Sequence, residues 1–225
     1  ITRASIVSTP SEYVRQKLIT EFAVSPAKVK VVRHGIDEQL GKTATSEQDL
    51  RQRLRIENKD VLFLPAVTHP HKNHKFLLQL MKTHWVDKNL VLICAGGKGR
   101  GEVDFMREIR RLNLDDRVIR LDRVVDEDRD GLLKLATAMV FPSLYEGFGA
   151  PVIEAMQLGT AVISSDCAAL PEVVGDAGIV LPLDLKLWAN ALETLASRRE
   201  SLRAAGRIRA AHFSISNSGN DLAQI

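Results

Sequence analysis

Residues 141–160 read FPSLYEGFGAPVIEAMQLGT, and this stretch decides the fold. Just ahead of it, Ala138-Met139-Val140-Phe141 is a short, continuous apolar run ending at Pro142, the pattern of a strand buried in a parallel sheet. Glu146-Gly147-Phe148-Gly149 follows as a glycine-bearing loop. Pro151 suits the first position of a helix, where its missing N–H would have no partner anyway. Val152, Ile153, Ala155, Met156 and Leu158 carry that helix on, and Gly159 stops it. Strand, glycine loop and helix N-terminus together make an anion site, because free backbone N–H groups and the helix dipole point one way. Two carboxylates bracket the site, Glu146 in the loop and Glu154 in the first helical turn. Carboxylates accept hydrogen bonds from paired hydroxyls, so this pair suits a ligand with a sugar on one side of a diphosphate and a ribose on the other. Glu154 by itself would serve equally well as dipole compensation.

Outward from this element, strands and helices alternate. Val61 to Leu64, Leu90 to Ala95, Val118 to Leu121, Ala161 to Ser164 and Gly178 to Leu181 read as strands. Between them lie helical patterns on Phe76-Leu77-Leu80-Met81, on Phe105-Ile109-Leu112 and on Leu132-Leu133-Leu135, then a short turn at Leu170 to Val174. Leu187 to Leu195 and Leu202 to His212 read as terminal helices. This alternation predicts an α/β fold with a doubly wound parallel sheet, Rossmann-like, whose ligands sit at the carboxyl ends of its strands. Nearer the start, a strand ends at Ser8, and Thr9-Pro10-Ser11-Glu12 opens a helix with Val14, Leu18, Ile19 and Phe22 on one face. Val29 to Val32 is a second strand, and Gly41 to Asp49 reads as a polar linker. Three parts are expected: residues 1–40, residues 41–213 holding the sheet, and a weakly patterned polar tail at 214–225.

The 225 residues are 45% hydrophobic, and 31 basic against 28 acidic side chains leave a net charge of +3. That balance is too mild, and too evenly spread, to argue for nucleic acid. Cys94 and Cys167 match no metal spacing and read as buried, reduced thiols. No apolar run has the length of a membrane span, and no signal peptide is recognisable. Because the chain opens on Ile1 rather than Met, inside a strand-like pattern, it is expected to be a piece of a longer protein.

The Glu-x7-Glu spacing from Glu146 to Glu154, inside SLYEGFGAPVIEAM, resembles the signature of retaining glycosyltransferase family 4, whose fold is GT-B. VSTPSEYVRQKL, VKVVRHGID, PAVTHPHKNH, LVLICAGG, the segment around Val124 and AVISSDCAALPEVVGDAGIVLP resemble family segments in family order, over roughly residues 5 to 213. The resemblance implies the C-terminal, donor-binding half of a GT-B enzyme. Residues 1–40 would then be the end of the N-terminal domain and the hinge. It implies transfer of a sugar from a nucleotide-diphosphate donor, without a metal or other cofactor, to a glycan or lipid-linked acceptor held by the N-terminal domain. A cytoplasmic location follows from it, and peripheral contact with the inner face of the membrane through that domain stays open.

The resemblance also assigns roles. Glu146 would hold hydroxyls of the donor sugar and Glu154 the ribose diol. Gly147, Phe148, Gly149 and Ala150 would form the phosphate loop, with the Phe148, Gly149 and Ala150 amides turned to the ligand. Lys72 would meet the diphosphate, although a solvated lysine is the plain alternative. Val124 and Val125 would line the base pocket through backbone groups, or else belong to the core. Five residues before Lys72, where the family carries arginine, stands Val67. His69, His71 or His74 are candidates to supply the lost charge.

Other motifs carry less. Three histidines in one loop, with no cysteine and no placed carboxylate, make a poor metal site and read as aqueous loop histidines. Asp126-Glu127-Asp128 reads as helix-dipole compensation rather than a metal triad. Gly96-Gly97-Lys98-Gly99 fails the Gly-x-Gly-x-x-Gly spacing of a dinucleotide fingerprint and reads as a tight turn near the nucleotide. A nucleotide-sugar epimerase would need acid/base groups that find no place here. A non-catalytic Rossmann module using NAD would need that failed fingerprint.

Overall fold

The computed structural model describes residues 3–225; Ile1 and Thr2 lie outside it, and with them the chain's opening residue. Six strands form one wholly parallel sheet: β3 (Asp60–Pro65), β4 (Leu90–Ala95), β5 (Val118–Leu121), β6 (Ala138–Phe141), β7 (Val162–Ser165) and β8 (Ile179–Leu181). Their order is β5-β4-β3-β6-β7-β8, the doubly wound arrangement in which the chain turns back between β3 and β6. All of β4 and β6 is buried, as continuous apolar runs in a parallel sheet require. Helices alternate with the strands. α3 (His74–Thr83) packs on α4 (Glu102–Arg111) and on α8 (Leu185–Ala189). α5 (Asp126–Leu135) packs on α2 (Glu47–Leu54), and α6 (Ala150–Gln157) on α9 (Ala191–Ala211); α7 is Leu170–Val174.

β1 (Val7–Thr9) and β2 (Val29–Val31) form a separate two-stranded parallel sheet with α1 (Glu12–Phe22) beside it. The apolar face expected on α1 is incompletely covered: Val14, Leu18 and Ile19 are half-buried, and Phe22 is 65% exposed.

Three expectations are corrected. The weakly patterned tail is helical, because Ile215–Ala223 form α10, with the Ser214 hydroxyl capping its N-terminus by accepting from Asn217 N–H. Its start is pinned by the Ile36 N–H, which donates to Phe213 O at 2.8 Å. The linker is not free either. Gly41 N–H donates to the buried Asp130 carboxylate at 2.7 Å, Thr45 N–H donates to Glu127 O at 2.9 Å, and α2 begins at Glu47. Finally, the two terminal helices are arranged differently, as a short α8 followed by one 21-residue helix, α9.

Candidate functional site

Parallel strands put the loops after β3, β4, β5 and β6 on one edge of the sheet. The loops after β3 and β6 flank the point where strand order reverses, which is where ligands bind in open α/β sheets. After β3, Pro70–Lys72 make a single 3₁₀ turn, and Asn73, at φ 55°, leads into α3. After β6, Gly149 caps α6 at φ 97° and ψ 46°, a left-handed conformation that favours glycine, and a Cβ there would meet Leu170 Cδ2 at 2.9 Å. Among the described residues, no protein hydrogen bond is donated by the N–H groups of Gly147, Phe148, Gly149 or Ala150. Orphan amides at a helix N-terminus are anion-binding groups.

Lys72 and Glu146 come together across the switch point. The ammonium Nζ donates to Glu146 Oε1 at 2.6 Å, with the two side chains only 16% and 12% exposed. Lys72 also stands 5.1 Å above the centre of the Phe141 ring. Lys72 is therefore not a solvated surface lysine.

Glu154 lies just past the first helical turn expected for it. α6 begins at Ala150, which makes Glu154 its fifth residue and leaves no acid in the first turn, so dipole compensation explains it poorly. Burial raises its pKa, opposed by Arg129. Arg129 is itself held by Asp126 and Asp130, each at 2.8 Å. The Phe148 side chain is core, edge-on to His34 at 5.2 Å and to Phe213 at 5.5 Å, leaving only its backbone for a ligand.

Val124 is half-buried and packs against the core while also lining a cleft of about 340 Å³. Val125 is 61% exposed, which excludes a core role for that side chain. The same cleft is bounded by Val67, Gly96, Gly97, Arg123 and Arg129. Gly96, at φ 154°, sits so close to the end of β3 that a Cβ would meet Ala66 O at 2.4 Å.

Of the three histidines only His74 departs from the expectation of aqueous loop residues; His71 is exposed and His69 half-buried. His74 is a buried helix residue against Phe105, its pKa pushed down to about 4 by burial and by Arg120. His71 is lowered by partial burial and by Lys72. Both are held away from the charged form, so neither replaces the arginine charge missing at Val67. The cations that share the cleft with Val67 are Arg123 and Arg129, which sequence reading passed over. Their signal was slight: Arg123 adjoins Val124, and Arg129 stands three residues after Asp126.

Among the described residues, no group of three or more His, Cys, Asp or Glu is placed to hold a metal ion. Asp128 is used structurally: burial opposes its charge, but Arg53 and Thr45, each at 2.7 Å, hold its pKa down. Cys94 is buried and its thiol pushed up to about 12, whereas Cys167 is only half-buried, in part unlike the expectation for the pair.

The family model for glycosyl transferases group 1 matches residues 58–198. The chain belongs to that family. Among curated relatives of this chain is the O-antigen chain mannosyltransferase B of Escherichia coli, 29% identical over 95% of this chain and 58% of its own length. Another is the MMP alpha-(1->4)-mannosyltransferase of Mycolicibacterium hassiacum, 30% identical over 84% of this chain and 44% of its own. The chain thus spans about half the length of the curated relatives it matches. Its fold matches that of Anabaena HepE, solved with UDP and glucose, at a TM-score of 0.87 and 23% identity over 98% of this chain and 62% of that one. It also matches WaaG, a glycosyltransferase involved in lipopolysaccharide biosynthesis, at 0.81 and 16% identity over 96% and 61%. The alpha/beta parallel fold is that of GT-B glycosyltransferases.

Proposed function

We propose that this chain is the donor-binding part of a retaining glycosyltransferase of family 4. The full enzyme moves a sugar from a nucleotide-diphosphate donor to a glycan or lipid-linked glycan. The observation that carries the reading is the Lys72–Glu146 pair beside the orphan amides of Gly147 to Ala150, at the reversal of strand order. In this reading Lys72 and the loop amides stabilise the departing diphosphate, a charge that grows as the glycosidic bond breaks. Glu146 turns to the sugar hydroxyls once the phosphates take over Lys72. Glu154 takes the ribose diol, and the cleft at Val124 takes the base. No side chain is assigned as nucleophile, so attack comes on the face from which the diphosphate leaves. The reading assigns no metal.

One mannosyltransferase relative is named for the O-antigen chain, which supports a role in polysaccharide synthesis. Among the described residues no helix is long and apolar enough to cross a membrane. Residues 3–40 and α10 are assigned to the junction with an acceptor-binding domain, so the chain alone turns over little donor. Calorimetric titration with UDP, GDP, ADP and NAD tests the reading. One nucleoside diphosphate binding, and NAD not, is the expected result; binding of NAD alone would overturn it.

A further inference from the structure

The N-terminus of α1 is fastened to the glycine loop and to α7 by contacts that the donor reading does not use. Glu172, on α7, accepts from Glu12 N–H and Tyr13 N–H, one with each carboxylate oxygen, both at 3.0 Å. These are the first amides of α1, where a carboxylate satisfies orphan donors and meets the positive end of the dipole. The buried Ser11 hydroxyl accepts from Val14 N–H at 3.2 Å and donates to Gly147 O at 2.7 Å. Tyr13 meets Tyr145 edge-on, with ring centres 6.1 Å apart. Glu172 is itself fixed, because Arg209 donates to its backbone oxygen and, at 3.0 Å, to Val173 O.

The consequence lies in one peptide plane. In a trans peptide the C=O and the following N–H point in opposite directions. Binding the Gly147 carbonyl to Ser11 therefore turns the Phe148 N–H away from α1 and keeps it from rotating. We propose that Ser11 and Glu172 are positioning residues: by holding α1 against the loop they fix the Phe148 amide for the donor diphosphate. The proposal rests on the donor reading above. It also makes the loop's shape depend on where the β1–β2–α1 unit sits.

The test is ¹⁵N NMR of the chain together with titrations of a nucleoside diphosphate and of its nucleoside. Ser11→Ala and Glu172→Ala should shift or broaden the amide signals of Gly147 to Gly149 and leave those of β3 and β4 in place. They should lower affinity for the diphosphate about tenfold, the effect of one charge-assisted hydrogen bond, without lowering affinity for the nucleoside. Ser11→Thr keeps the hydroxyl and should restore both; Glu172→Gln, with one acceptor left, should fall between and serves if Glu172→Ala unfolds. Loop signals that stay in place, or nucleoside and diphosphate weakened alike, would overturn the proposal. If the wild-type chain binds no nucleoside diphosphate, the donor reading fails by itself, and the loop signals still decide whether Ser11 and Glu172 set the loop.

Discussion

At the scale of single residues, two ionisable groups carry opposite consequences for stability. His74 is buried with its pKa depressed from 6.5 to about 4, so its contribution is complete above pH 6.5 and is lost as the pH falls through 4. The loss amounts to about 3 kcal/mol, since each unit of difference is worth about 1.4 kcal/mol. Urea midpoints between pH 4 and 7 should fall accordingly, and His74→Leu should flatten that dependence. Glu154 is the reverse. Its folded pKa is raised above 4.5 by burial, so its charged form opposes folding at neutral pH, and that cost disappears on acidification. Glu154→Gln should therefore raise the thermal midpoint at pH 7, with the gain shrinking as the pH falls towards 4.5. A carboxylate kept at such a cost is what a hydroxyl-binding site would require.

At the scale of elements, the β6–loop–α6 unit and the α5 terminus hold the site in shape. Gly149→Ala places a Cβ at φ 97° and against Leu170, which should cost about 1–3 kcal/mol in urea denaturation. Asp130 is buried between Gly41 N–H and the Arg129 guanidinium; removing it leaves Arg129 its Asp126 partner but strands the Gly41 N–H, and Asp130→Ala should cost about 1–3 kcal/mol. These two elements also show how far the sequence could be read. The β6–loop–α6 unit was legible because an apolar run, two glycines and a proline are local signals with local causes. The segment 41–49 was misread as a linker because its order comes from Asp130, Glu127 and Asp128, partners some 80 residues away with no local trace. α10 was missed because Ser and Asn supply turn-like composition; its cap, Ser214 to Asn217, is local, but the anchor of Phe213 to Ile36 just ahead of it is tertiary. Lys72 could be nominated from its loop, but its pairing with Glu146, 74 positions on, could not be seen. The helical burial of His74 and the cleft position of Arg129 were hidden for the same reason.

At the scale of the whole molecule, a doubly wound sheet with its loops converging at the β3/β6 crevice carries a small β1–β2–α1 unit on its ligand edge. In the proposed reading this edge holds a diphosphate through Lys72 and the orphan amides of the loop. The most direct measurement compares the affinities of a nucleoside diphosphate and of the matching nucleoside for the wild-type chain and for Lys72→Ala. The diphosphate should bind the wild type more tightly than the nucleoside does, and Lys72→Ala should remove about tenfold or more of that advantage while the nucleoside binds as before. A diphosphate that binds no better than its nucleoside, or an advantage untouched by losing Lys72, would contradict that reading.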